Sequence, residues 1–177
     1  MQTFKGSKFL LRELDFVNDK KAICTNINDK DILDKIALEY PYTEENYESI
    51  VKKIKESKEK TPREEYQFVI DVNGEAVGLI SLIGSNKLEK KHRAEIGYWL
   101  AKKHWGQGIM GEAVKILENF AFNDLKLFKL TIGALYDNIG SMKVAKKNGF
   151  ELEYIVKKAA FKAGEYKDLV YYTKFNF

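Results

Sequence analysis

One stretch constrains the rest of the chain more than any other. From Gly106 to Asn123 the residues predict a helix with almost no water-facing side. Its polar positions Glu112, Lys115 and Asn119 fall on one narrow stripe, while Met110, Ala113, Val114, Ile116, Leu117, Phe120 and Ala121 are apolar or small. A helix this apolar has to be covered, as by packing on a sheet. The flanking sequence predicts that sheet. Tyr66–Asp71 has strand character and is bounded by Asn73-Gly74, the strongest short hairpin signal, with Glu75–Ile83 as the return strand and Arg93–Ala101 as a third.

The remaining elements follow from local signals. Phe9–Leu14 reads as a first strand, and a polar, helix-compatible stretch runs from Asn18 to about Leu38, with weak turns near Asn28-Asp29. After Pro41, Thr43 is the expected N-cap of a helix whose first turn carries Glu44 and Glu45, where the helix dipole favours carboxylates. Beyond Asn123 come a strand over Phe128–Ala134, a helix over Asn138–Lys147, and strands over Phe150–Ala160 and Asp168–Phe175, with Gly164 in the last turn. The order β-α-α-β-β-β-α-β-α-β-β predicts an α/β (α+β) chain. It should form a single mixed, mostly antiparallel sheet of about seven strands flanked by about four helices. With no Pro/Ser-rich linker, repeat or low-complexity segment, residues 1–177 are expected to form one domain.

Composition narrows the class. The chain is 45% hydrophobic and 32% charged, with 10 Tyr, 11 Phe and 2 Trp, which argues against disorder. A net charge of +4 does not indicate nucleic acid. The single cysteine, Cys24, excludes an intrachain disulfide and favours a reducing compartment; its residue type suits a small buried apolar position. The best apolar run, Val77–Ile83, is far short of the roughly 20 residues a membrane span needs. The N-terminus lacks the apolar core of a signal peptide, so a cytoplasmic protein is expected.

The informative junction is Glu95 to Ala113, where a strand feeds a glycine-containing loop that opens the apolar helix. Such a junction aims unpaired main-chain N–H groups at one point, with the helix dipole behind them, and Gly106, Gly108 and Gly111 let a diphosphate approach without Cβ interference. The same glycines would also serve a purely structural turn. No Gly-Lys-Ser/Thr follows, so it is not a P-loop, and the glycine spacing is not that of the dinucleotide fingerprint.

Taken with its surroundings, Trp105-Gly106-Gln107-Gly108-Ile109-Met110-Gly111 resembles the acyl-CoA-binding motif of the GNAT acetyltransferases, in particular the RimJ/RimL-like ribosomal-protein branch. Pro41-Tyr42-Thr43-Glu44 is similar to that branch's acceptor-side turn. Asn138-Ile139-Gly140-Ser141 with Lys147-Asn148-Gly149-Phe150 is similar to its second cofactor motif, and Gly164–Asp168 to its C-terminal hairpin. Trp105 stands where the motif usually has Arg or Gln, Met110 where it has Gly or Ala, and Glu153-Tyr154 where the branch often has Glu-Gly. The resemblance implies the GNAT (acyl-CoA N-acyltransferase) fold and acetyl-CoA as co-substrate. Its cradle would comprise Gln107, Gly108, Ile109, Met110 and Gly111, with pantetheine contacts from Trp99, Leu100, Asn138 and Ser141.

Acetyl transfer to an amine needs a held thioester, a route for the amine's proton and a stabilised leaving thiolate. In a strand, Glu95, Gly97 and Trp99 share one face and Ile96, Tyr98 and Leu100 the other, with Gly97 leaving a notch between carboxylate and indole. Glu95 is the candidate base, the alternative being a carboxylate paired with a surface Lys. Ser141 is the candidate donor to the thiolate; helix capping is the other reading of Asn138 and Ser141. Trp99 would equally serve as core.

On the acceptor side the candidates are Tyr42, Glu95 and Trp99. The acids Glu39, Glu44, Glu45 and Glu48 would either greet a cationic amine or simply face water. His92 and His104, isolated from metal-spaced partners, read as surface loop residues, and no metal is expected. The expected function is direct transfer of acetyl to a primary amine, either a protein N-terminal α-amine or a small-molecule amine. The expected partners include no nucleic acid and no membrane, and the C-terminal hairpin would suit a homodimer. A non-catalytic acyl-CoA-binding sensor is the alternative.

Overall fold

The computed structural model describes residues 2–61, 63–84 and 92–177. Eight strands form one sheet in the order β1-β2-β3-β4-β5-β6-β8-β7. They are β1 (Thr3–Lys5), β2 (Leu10–Arg12), β3 (Glu65–Val72), β4 (Glu75–Ile83), β5 (Arg93–Leu100), β6 (Lys129–Leu135), β7 (Glu151–Lys162) and β8 (Glu165–Phe175). All neighbours are antiparallel except β5 and β6. The helices are α1 (Lys20–Ile27), α2 (Lys30–Leu33), α3 (Glu44–Glu59), α4 (Ile109–Asn119) and α5 (Ile139–Lys147). The mixed α/β architecture matches the expectation, with one more strand and one more helix.

Each difference has a local cause. β1 is three residues long and exists through its pairing with β2, Thr3 opposite Arg12. The expected Asn18–Leu38 helix splits because the Asp29 carboxylate accepts from the Asp31 amide at 2.8 Å and starts a new turn, α2. The long apolar helix begins at Ile109 and relaxes into a π turn over Phe120–Asp124. β8 starts at Glu165, immediately after Ala163 and Gly164 take φ of 51° and 80°. That is the two-residue hairpin geometry also adopted by Asn73-Gly74, whose φ values are 54° and 85°.

The sheet separates two cores. Phe68, Ile70, Ile80, Ile96, Leu130, Ile132 and Tyr172 pack under α4 and α5 with Val114, Leu117 and Ala145. On the other face Val69, Leu79 and Trp99 meet Ile23, Ile27, Tyr47, Val51 and Ile54 of α1 and α3. Among the described residues this second apolar layer takes nothing from β6, β7 or β8, so that half of the face is only partly covered by them. Thr43 caps α3 reciprocally with Asn46, as its position predicts.

Candidate functional site

The sheet parts where β5 meets β6. Among the described residues the paired rungs are Arg93, Ala94 and Glu95 with Lys129, Leu130 and Thr131. Beyond them β5 stays on β4 as far as Leu100, while β6 stays on β8 as far as Leu135. A cleft of about 610 Å³ is lined by Tyr98, Trp99 and Leu100 of β5, by Trp105, Gly106 and Gly108–Gly111 at the start of α4, and by Asn138–Ser141 at the start of α5.

At one end of the cleft the glycine turn is bare. Gly106 and Gly108 have φ of 74° and 81°, and, chain neighbours aside, no atom of the described residues lies within 4 Å of where a Cβ would stand on either. Gly108 is the N-cap of α4 and no side chain caps the helix. The amide of Glu112 bonds the Gly108 carbonyl at 3.1 Å, so the amides ahead of it are aimed outward along the helix axis. Ile109 and Met110 bury their side chains in the α4–α5 core, leaving main chain for a ligand. Lys35, Lys143 and Lys147 line the same cleft. Free amides, a positive helix end and three ammonium groups suit a phosphorylated anion.

Trp105 accounts for its own departure from the motif. Its indole Nε1 donates to the Leu100 carbonyl at 2.7 Å and ties the loop to the end of β5. Gln107 adds a second tie, Nε2 to the Lys103 carbonyl at 3.0 Å. The Gln107 side chain is therefore spent on the loop and points away from the cleft, and the Leu100 carbonyl is already engaged.

At the other end Asn138 caps α5, its Oδ1 accepting from the Ser141 amide at 3.1 Å. Ser141 is 9% exposed, and its Oγ lies 2.9 Å from the Tyr98 hydroxyl. Burial pushes the Tyr98 phenol up to about 12, against the opposing pull of its bond to Ser141. Sequence reasoning placed Tyr98 on the face opposite Glu95 but missed this partnership. The signal available was Tyr98's two-residue offsets from Ile96 and Leu100, which put it beneath α5.

Glu95 does not line this cleft. It sits on the last paired rung of β5 and β6 with its side chain on the half-open face. There its Oε1 lies 3.2 Å from where a Gly133 Cβ would stand, and Cε1 of Tyr171 lies 3.1 Å from the same point. The absence of a side chain at Gly133 lets carboxylate and phenol converge. The Tyr171 phenol is raised by burial and then by the Glu95 charge, and its ring stacks on Tyr154 at 4.6 Å.

Two expectations change, and a reading left open narrows. Tyr42 is 3% exposed inside the α1–α3 core, its amide and carbonyl both bonded to Asn28, so it offers no surface to an acceptor. His104 is half-buried rather than a surface residue; it lines the cleft with an Nε2 that has no partner among the described residues. Glu44 and Glu48 both pair with Lys20 at 2.9 Å, which removes much of their pull on an incoming amine. Cys24 is half-buried on α1, and burial raises its thiol above the ordinary range. Among the described residues no three His, Cys, Asp or Glu side chains are placed to share a metal ion, and no helix is long and apolar enough to cross a membrane.

Residues 8–151 match the family model described as an acetyltransferase (GNAT) domain. The chain belongs to the GNAT acetyltransferase family. This GNAT chain is 31% identical over 170 residues to a probable N-acetyltransferase, YjcK, of Bacillus subtilis (strain 168), covering 93% of the chain and 92% of that protein. It is 37% identical over 108 residues to the ribosomal-protein-serine acetyltransferase of Escherichia coli (strain K12), covering 60% of the chain and 59% of the relative. Among solved structures, RimL, the ribosomal L7/L12 alpha-N-protein acetyltransferase in complex with coenzyme A, superposes with a TM-score of 0.85 at 23% identity, covering 98% of each chain. Relatives named for ribosomal proteins are thus among those the GNAT chain is similar to.

Proposed function

We propose that this GNAT acetyltransferase passes acetyl from acetyl-CoA directly to a primary amine. The observation carrying the reading is the bare glycine turn opening α4, set at the mouth of a cleft that leads to the parted strands. Acetyl-CoA, when bound, supplies an activated acyl group. The amides after Gly108 take its diphosphate, and Lys35, Lys143 and Lys147 balance the remaining negative charge. The free edge of β5 past Glu95 is available to an amide-bearing chain as an added strand would be. The amine nitrogen bonds to the acetyl carbon, the carbon–sulfur bond breaks, and the electron pair leaves on sulfur. Glu95, directly or through water, takes the amine's proton, and the Ser141 hydroxyl serves the departing sulfur.

The half-open face beside Glu95, with Tyr171 and Tyr154 as an aromatic wall, would receive the amine, since an ammonium is attracted both to a carboxylate and to ring faces. Relatives named for a ribosomal protein and for spermidine make a protein N-terminal α-amine and a polyamine the first acceptors to try. The test measures thiol release from acetyl-CoA with a serine-initiated peptide, spermidine and free amino acids, beside calorimetry with CoA. Binding with turnover on at least one amine is expected. Binding with turnover on none would favour a sensor, and absence of binding heat would sink the reading.

A further inference from the structure

We propose that Tyr98 is a positioning residue for acetyl transfer: its phenol donates to Ser141 Oγ and so turns the serine's own hydrogen into the cleft, toward the departing sulfur. This rests on the reading of Ser141 given above. A serine in the first turn of a helix ordinarily spends its hydroxyl on nearby main chain. Here Asn138 already satisfies the Ser141 amide, and among the described residues the one hydrogen bond at Ser141 Oγ is the 2.9 Å contact with Tyr98.

The two hydroxyls share one bond, and the direction of that bond decides what each can do next. A phenol is the stronger hydrogen-bond acid and an aliphatic hydroxyl oxygen the better acceptor, which favours donation from Tyr98 to Ser141. The Tyr98 hydroxyl has a single hydrogen, and the alternative acceptor within reach, the Ser141 carbonyl, is further away at 3.4 Å. Once Oγ accepts, its own hydrogen needs a different partner, and Ser141 faces the cleft. Burial keeps the phenol protonated far above neutral pH, so Tyr98 holds the direction of the bond and does not act as the proton source.

The assignment is tested with Tyr98→Phe, which keeps the ring and its packing, together with Ser141→Ala and the double variant. Calorimetry at pH 7 and at pH 10, on either side of the range in which the CoA thiol begins to lose its proton, compares CoA with desulfo-CoA, which lacks the sulfur. At pH 10 wild type should prefer CoA by about tenfold, the value of one charge-assisted bond, and either single variant should abolish that preference without weakening desulfo-CoA. Single-turnover release with the best amine of the panel should fall about tenfold in each single variant, no further in the double, at unchanged KM for acetyl-CoA. A Tyr98→Phe enzyme that keeps the preference and the rate overturns the proposal, as do losses that multiply in the double. If Ser141→Ala changes nothing, the role of Ser141 fails first and that of Tyr98 with it. If CoA does not bind at all, the fault lies in the acetyltransferase reading itself.

Discussion

At the scale of single residues, Glu95 and Tyr98 stand on opposite faces of one strand and carry separable expectations. Replacing Glu95 by Gln keeps the shape against Gly133 and Tyr171 and removes the proposed base. The rate constant kcat should fall about 10²- to 10³-fold with little change in KM for acetyl-CoA; stopped-flow thiol release reads it, and an unchanged kcat removes Glu95 from the reaction. Tyr98 leaves a mark on stability as well. Its folded pKa, pushed up to about 12, lies above the roughly 10 of an exposed phenol. The native state therefore holds that proton more tightly than the unfolded chain does. The stabilisation is complete below pH 10 and is lost as pH rises from 10 to about 12. Tyr98→Phe should show a shallower alkaline loss in urea titrations, and an identical slope would contradict the buried, protonated phenol. Asn138 and Ser141 were legible as a capping pair because capping is local. The Tyr98 contact was not, since it joins residues 43 apart in the chain across two elements whose packing no local pattern encodes.

At the scale of elements, the junction from β5 into α4 sets stability against binding. Gly111 lies in the first turn of α4 without a left-handed φ, and a Cβ there would meet its nearest neighbour, Asn148 Nδ2, at an ordinary 3.9 Å. Gly111→Ala should therefore stabilise the ligand-free protein by about 0.5–1 kcal/mol, the usual helical gain over Gly. If the neighbouring amides hold a diphosphate, the same methyl should weaken CoA. Gly108→Ala forces a left-handed alanine and should cost about 1–2 kcal/mol as well as affinity. Thermal melts and calorimetry on the pair separate conformational cost from ligand clash; tighter CoA binding by Gly111→Ala would contradict the cradle. The hairpin at Asn73-Gly74 and the cap at Thr43 were readable because dihedral demand selects those residue types. The break between α1 and α2 was only hinted at by Asn28-Asp29, because what ends α1 there is one carboxylate choosing one amide.

At the scale of the whole molecule, Arg12 ties three parts together. From β2 it reaches Asp71 on β3 at 2.7 Å and the N-cap of α1, Asp19, through two bonds of 2.7 Å. Both carboxylates are buried, so Arg12→Met leaves two uncompensated charges and should cost about 3–5 kcal/mol in urea unfolding. A loss under 1 kcal/mol would show the network to be ornamental. The mixed sheet was legible from alternation, glycine turns and the covered helix. The half-open second face was not, because strand periodicity reports which side chains point inward and not whether a helix arrives to cover them.

The parting of β5 from β6 has a mechanical consequence. Among the described residues the two half-sheets are joined there by three residue pairs, Arg93–Lys129 to Glu95–Thr131, and by the His92 carbonyl, which accepts from the amides of Phe128 and Lys129. A guest that lies along the free margin of β5 supplies rungs the polypeptide itself omits. It should then brace both halves at once, slowing amide exchange at Gly97–Leu100 and, beyond the residues it touches, along β6 and β8.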